Sequence, residues 1–368
     1  MTQAGTANPT PMDAEGQRLL ARLGDWLPAG APPAVLVTVW AVHGAAPREA
    51  GARLLCRGGR LLAGTIGGGH LEEQALKEAS HFEEARSQSG DGEAPDPLPS
   101  EVREEGESMG SPTRLSRYAL GSRLGQCCGG AVVLHYQIVT WETAPQLGQR
   151  LAAALQAGCA FESRFGDETL SEWPQPETAV LLFGGGHVGT ALCRVLQPLP
   201  WRVIVVDQRP EWADRVRFPP GTEVICTEPL RLLAAWGWLG TLAQSSQMAQ
   251  RLTAQGKPLP PPPSPGSTRA LVMTHDHALD RDLTEALLRL PAGGHESGDR
   301  LAFVGLIGSK AKIAVTRQRL CQRGVGEALI ATLQAPIGLR LGGRLLGDKS
   351  PGQIAISVAA QLLAAGAR

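Results

Sequence analysis

The sequence predicts an α/β protein in two parts, an N-terminal α/β domain followed by a doubly wound parallel sheet. Three observations carry that prediction: a strand, turn, helix and strand in succession from Ala179 to Asp207, a second glycine-rich strand-to-helix turn from Gly64 to Glu73, and later β-branched strands that each run into a helix. In the first stretch the apolar run Ala179 to Phe183 stops at Gly184-Gly185-Gly186-His187-Val188-Gly189. Ala191, Leu192, Val195 and Leu196 then recur at helical spacing, and Arg202 to Val206 forms a second strand ending at Asp207. That order is a βαβ unit, and the glycine spacing makes it Rossmann-like. Gly184 permits the turn, Gly186 lets a phosphate approach, and Gly189 lets the helix pack on the strand, while the helix N-terminus offers N–H groups to an anion. Asp207 follows about 20 residues on, where a carboxylate reaches a ribose hydroxyl. The other reading gives the glycines to packing alone and makes Asp207 a cap for Arg209-Pro210-Glu211. A fold does not name its ligand.

The 368 residues, 43% of them hydrophobic, suffice for a substantial core and two domains. Lys plus Arg equals Asp plus Glu at 35 each, so no long-range field draws the chain to nucleic acid or to an anionic membrane. No apolar run approaches the roughly 20 residues of a spanning helix, and the opening MTQAGTANPTPMDAEG has neither a basic nor an apolar signal region. A cytoplasmic protein is expected, with no nucleic-acid or membrane partner. Seven cysteines, none in a CxxC pair, point to reduced thiols rather than a disulfide framework or structural zinc.

After a leader and a short amphipathic helix over Gln17 to Leu27 (residues 1–33), an N-terminal domain is expected over residues 34–145, opening with the strand Ala34 to Val42. A hairpin across Gly58-Gly59 leads to Gly67, Gly68 and Gly69, followed by helix-favouring residues from His70 to Ser80. Three successive glycines beside a helix start suit a phosphate or an oxyanion; a tight structural turn is the equal alternative. Glu72 is then either a helix-surface acid or an acceptor for a ligand ring. Residues 81–112 are acidic and nearly free of apolar side chains, a composition that predicts an inserted flexible loop.

Order resumes near Arg114 and leads to Leu124-Gly125-Gln126-Cys127-Cys128-Gly129-Gly130 and a strand. A thiolate at Cys127 or Cys128, its pKa lowered by the N–H groups of a glycine turn, is a ligand for a soft metal or an acceptor of sulfur. Two small residues buried under a turn is the plainer reading. A helix and polar linker (146–178) connect to the Rossmann-like domain, residues 179–345. In it Gln244 to Thr268, with Pro260 to Pro263, reads as a stiff spacer without core contribution. The strand Arg269 to Thr274 ends in His275-Asp276-His277, placing His275 at the carboxyl edge with His187 and Asp207. One reading of His275 and His277 is metal binding; a hydrogen-bonding structural role is the commoner use. Leu301 to Leu306 enters a further turn at Gly308-Ser309-Lys310, where Lys310 and Lys312 bring positive charge to a crevice suited to phosphate. Residues 346–368 hold a final apolar helix suited to burial or to a contact between protomers.

Taken together, GTIGGGHLEE, LGQCCGG, LLFGGGHVG with VVDQRPE, VMTHDH, GLIGSKAK and PIGL with SPGQIAISVAAQLL resemble, in that order, the xanthine dehydrogenase accessory protein family (XdhC/CoxI-like). The resemblance implies a chaperone that binds molybdenum cofactor (molybdopterin), supports its sulfuration with a cysteine desulfurase as sulfur source, and delivers it to the xanthine dehydrogenase apoenzyme. It implies cofactor-binding roles for Gly67, Gly68, Gly69, Glu72, Cys127, Cys128, Gly184, Gly186, His187, Gly189, Asp207 and His275, with the two thiols contacting molybdenum. No catalytic residue is assigned. A homodimer is expected from the final helix. The competing reading, from the fingerprint and Asp207, is an NAD(P)-dependent oxidoreductase.

Overall fold

A computed structural model describes residues 9–87, 103–108, 111–120, 130–239, 259–290, 300–347 and 349–366. The chain divides into two compact units, Met1–Gln175 and Pro176–Arg368. In the first, strands β2 (Ala34–His43), β3 (Arg53–Arg57), β4 (Arg60–Gly64), β5 (Arg103–Ser108), β6 (Ser111–Ala119) and β7 (Ala131–Val139) form an antiparallel sheet in the order β4-β3-β2-β7-β6-β5. Both faces are covered, so β2 reads as a continuous apolar run. Helix α3 (Gly69–Ser87) lays Leu71, Ala75, Ala79 and Phe82 on Val35 and Val37. On the other face α1 (Ala14–Ala21), α2 (Leu23–Trp26) and α4 (Thr143–Ala157) bring Leu20, Leu23 and Leu147 to Leu36 and Leu55. A small sheet of β1 (Thr10–Pro11), β8 (Phe161–Phe165) and β9 (Glu168–Trp173) completes the unit.

Several sequence expectations change here. Residues 81–87 belong to helix α3, and Arg103–Ser108 pairs with β6 from Arg103 opposite Ser116 to Ser108 opposite Ser111. Strand pairing thus reaches into a segment whose composition alone argued for a loop; its remaining residues, 88–102 and 109–110, lie outside the described part. The polar stretch after α4 is no plain linker but the β8–β9 hairpin, whose Phe161, Phe165 and Leu170 turn inward. The first helix is broken in two, with Arg22 capping one piece and leading the next.

The second unit is a five-stranded parallel sheet in the order β12-β11-β10-β13-β14, formed by β10 (Ala179–Phe183), β11 (Arg202–Asp207), β12 (Glu223–Cys226), β13 (Thr268–Val272) and β14 (Phe303–Leu306). The chain starts in the middle, winds outward to β12 and returns to the other side of β10, so the order reverses between β10 and β13. Helix α5 (His187–Leu196) and the final helix α10 (Pro351–Gly366) cover one face, where Leu192, Leu196, Val358 and Leu362 pack with Val180 and Leu182. Helices α6 (Pro229–Ala235), α7 (His277–Leu288), α8 (Lys310–Gln322) and α9 (Glu327–Thr332) cover the other. The proline-rich stretch does contribute to this core. Leu259 packs against it, Trp236 Nε1 donates to the Pro260 carbonyl at 3.1 Å, and Arg202 Nη2 donates to that of Pro261 at 2.9 Å. Among the described residues no helix is long and apolar enough to cross a membrane.

Candidate functional site

In the second unit the reversal of strand order leaves a shallow open cleft at the carboxyl edge of the sheet, lined by Gly184, Val206, Asp207, Gln208, Pro229, Thr274, His275 and Leu279. Open α/β sheets bind ligands at such a switch point. Gly184, at φ +121°, makes the turn, and a Cβ there would collide with the Met273 carbonyl. A Cβ on Gly189 would strike the Gly184 carbonyl, so this glycine does let helix and strand close up. At Gly186 a Cβ would meet nothing within 4 Å, and Gly186 caps α5 without any side-chain hydrogen bond. That end of the turn faces open space.

Asp207 is 5% exposed, and its acceptor capacity is filled by its own chain. Oδ2 accepts from Gly185 N at 2.9 Å and Arg209 Nη2 at 2.8 Å; Oδ1 accepts from Arg209 N at 3.0 Å and Arg209 Nε at 2.9 Å. Burial alone would raise the pKa of this carboxyl, but the donors from Arg209 and Gly185 outweigh it and hold the group below its ordinary value. The Arg209 guanidinium lies over the Trp212 ring at 5.0 Å, and that of Arg217 at 4.4 Å. His187 is not in the cleft lining. It meets Trp212 edge-on at 5.4 Å, so the expectation that it shares the crevice with Asp207 and His275 holds only for the latter two. Residues 209 to 217 thus wrap the glycine turn. The bond from Arg209 N to Oδ1 is the cap that the alternative reading of Asp207 gave; what sequence reasoning missed is the guanidinium fork of Arg209 and Trp212, though an Arg two residues after a strand-ending Asp was a readable sign of a paired carboxylate.

His275 is exposed at the rim, on a loop fixed from below by Asp280 of α7. The fully buried Asp280 carboxylate accepts from Thr274 N at 3.1 Å and Thr274 Oγ1 at 2.7 Å, and pairs with Lys312 Nζ. Lys312, expected to supply charge for a phosphate, is thereby committed to structure. Asp276 caps α7. Among the described residues no group of three or more His, Cys, Asp or Glu is placed to hold a metal ion.

In the first unit the glycine turn is also filled from within. Glu72 Oε2 accepts from Thr65 Oγ1 at 2.8 Å, Gly68 N at 3.0 Å and Ile66 N at 3.2 Å. The carboxylate therefore sits where an external anion was expected, and its role is that of an internal acceptor. Gly67, at φ +118°, has no room for a Cβ beside Pro47; Gly68 and Gly69 also take positive φ, at 72° and 63°. Gly130 is equally tight against the His43 and Ala45 carbonyls. The glycine turn and the point where the chain re-enters β7 thus flank one loop, which Arg48 ties to α1 through Asp13 and Glu15, both at 2.8 Å. Cys127 and Cys128 lie outside the described residues. Replacing Glu72 with alanine should lower stability by about 1–2 kcal/mol, since three donors lose a charged acceptor at a half-buried position. Glu72→Gln should recover part of that in urea denaturation. No shift in the midpoint for Glu72→Ala would mean that water serves the turn equally well.

The geometry defines a two-unit α/β protein whose second unit is of the Rossmann type. Comparison with known proteins takes this further. Residues 180–362 match the model of the XdhC Rossmann domain, and residues 27–89 match that of the XdhC and CoxI family. The chain belongs to the XdhC family. A relative from Bacillus subtilis (strain 168), named as one of the probable subunits of xanthine dehydrogenase, is 22% identical over 371 residues, covering 90% of this chain and 92% of its own. YqeB, an uncharacterized protein of Escherichia coli (strain K12), is 25% identical over 184 residues, which are 50% of this chain and 26% of YqeB. This chain therefore matches only about a quarter of that relative's length. Among solved structures, a xanthine dehydrogenase from Bacillus halodurans has the same fold, with TM-score 0.59 and 19% identity over 94% of this chain and 95% of the other.

Proposed function

We propose that this protein serves the maturation of a xanthine dehydrogenase, holding molybdopterin-type cofactor as cargo during its sulfuration and passing it to the apoenzyme. The observation that carries this reading is that both units match models of the XdhC family, with a relative named for xanthine dehydrogenase aligned over nine-tenths of the chain. The cargo combines a phosphate with a soft molybdenum–dithiolene centre. The open Gly186 end of the Rossmann turn and the exposed His275 at the cleft rim offer a phosphate donors. By the family resemblance, Cys127 and Cys128 are the thiols proposed to contact the molybdenum. A cysteine desulfurase supplies the sulfur, and the protein works in the cytoplasm as a homodimer. The nicotinamide-dependent oxidoreductase reading draws less support, because the carboxylate it needs for a ribose is occupied by Arg209.

Anaerobic titration of the purified protein with molybdopterin and with NADH, followed by gel filtration, tests the proposal. Co-elution of molybdopterin with the wild type is expected, along with weaker retention by Cys127→Ala. Unchanged retention in both Cys127→Ala and Cys128→Ala would remove the thiols from the mechanism. No retention by the wild type would overturn the cargo reading itself.

A further inference from the structure

We propose that Arg209 is the specificity-determining residue of the Rossmann cleft: it occupies the carboxylate that this fold offers to a ribose diol, so the cleft rejects nicotinamide dinucleotides. A carboxylate has about four acceptor positions. All four on Asp207 are taken, by Gly185 N and by three donors of Arg209, at 2.8 to 3.0 Å. A ribose hydroxyl arriving at Asp207 finds no free lone pair and must first displace a planar, two-pronged guanidinium, the geometry that binds carboxylates most firmly.

Arg209 is also held from its other side. Its guanidinium stacks at 5.0 Å on Trp212, and a Cβ on Gly185 would collide with the Trp212 carbonyl. Trp212 in turn carries Arg217 at 4.4 Å on its ring and His187 at its edge. The arginine is therefore placed before any ligand arrives. Its fork points at Asp207, so it is not offered outward to a 2′-phosphate, the other use of an arginine at this place in the fold. What remains is His275 at the rim and, beside the lining, the open Gly186 end of the turn, which suit a phosphate on a ligand that needs no diol contact. The inference is independent of the cargo proposal: molybdopterin retention can fail while nucleotide discrimination behaves as stated, and the reverse.

The test is equilibrium titration of the full chain with NADH and NADPH, read by cofactor fluorescence. The wild type should show no saturable binding of either up to about 1 mM, the weak end of specific affinity. Arg209→Ala, which frees two acceptor positions on Asp207, should bind NADH about tenfold tighter or more, the value of one hydrogen bond to a charged group. The double variant Asp207→Ala/Arg209→Ala should lose the gain. Arg209→Gln serves in place of Arg209→Ala if the latter does not fold. Saturable NADH binding by the wild type, or no gain in either single variant, overturns the proposal. So does NADPH binding by the wild type that Arg209→Ala abolishes, since Arg209 would then be reading a phosphate.

Discussion

Replacing Glu172 by alanine is expected to cost the first unit about 3–5 kcal/mol, the penalty for leaving one member of a buried ion pair alone. Arg53 on β3 is 1% exposed and Glu172 on β9 is 0% exposed. Arg53 Nη2 pairs with Glu172 Oε2, Arg53 Nη1 reaches Oε1 at 3.1 Å, and Nη1 also donates to the Gly51 carbonyl at 2.7 Å. The carboxylate fits only because Gly51, at φ +93°, has no side chain; a Cβ there would overlap Oε1. In Glu172→Ala the guanidinium keeps a single carbonyl partner and no counter-charge. Urea denaturation should show a lower midpoint for the transition of this unit with an unchanged slope. The double variant Arg53→Met/Glu172→Leu should recover much of the loss, because the pair's cost lies in desolvation as much as its value lies in attraction. An unchanged midpoint in Glu172→Ala would show that water reaches the pair.

Acidification should destabilise the same unit through His135. This residue of β7 is 3% exposed, lying 5.0 Å from the Trp40 ring and 5.8 Å from that of Phe165, and its Nε2 has no hydrogen-bond partner. Burial, assisted by the positive charge of Arg53, pushes its pKa down to about 4 from 6.5. The folded value lies below the unfolded one, so between these two pH values the unfolded chain takes up a proton that the native state refuses. The native advantage is complete above pH 6.5 and is lost as pH falls toward about 4, by about 3 kcal/mol in all. His135→Phe should flatten that slope while leaving stability near pH 7.5 within about 1–2 kcal/mol, the range for a near-isosteric apolar exchange. Equal slopes in variant and wild type between pH 7 and 4.5 would mean that His135 is protonated in the folded protein. Because Arg53 touches both predictions, their combined variants should not add.

The Rossmann half was readable because its signals are local. Ala179–Phe183 is apolar throughout, the glycines interrupt it at one place, and Asp207 ends the next strand, so the sequence limits of β10 and β11 agree with the structure to within a residue. What escaped depended on distant partners. Nothing near Arg53 announces Glu172, 119 residues away, and nothing within Arg103–Ser108 announces the strand that pairs it. The β8–β9 hairpin was within reach: alternation in Phe161–Phe165 and a Gly166-Asp167 turn are hairpin signs that a polar composition masked. At the candidate site the positions of Asp207 and Glu72 were legible, and so was the capping of the segment at Arg209, but not the guanidinium fork on Asp207 or the donors gathered on Glu72. Each carboxylate serves its own glycine turn, which only the fold brings into view.

The packing of α10 against α5 has a consequence for the order of events during synthesis. Val358 and Leu362 close the face of the sheet that begins at Val180. Until the ribosome has released the stretch around residues 351–366, that face of the second unit stays open to water, with apolar side chains of β10 and α5 uncovered. Every element of the first unit lies within residues 1–175, so it can complete its core while the second is still being translated.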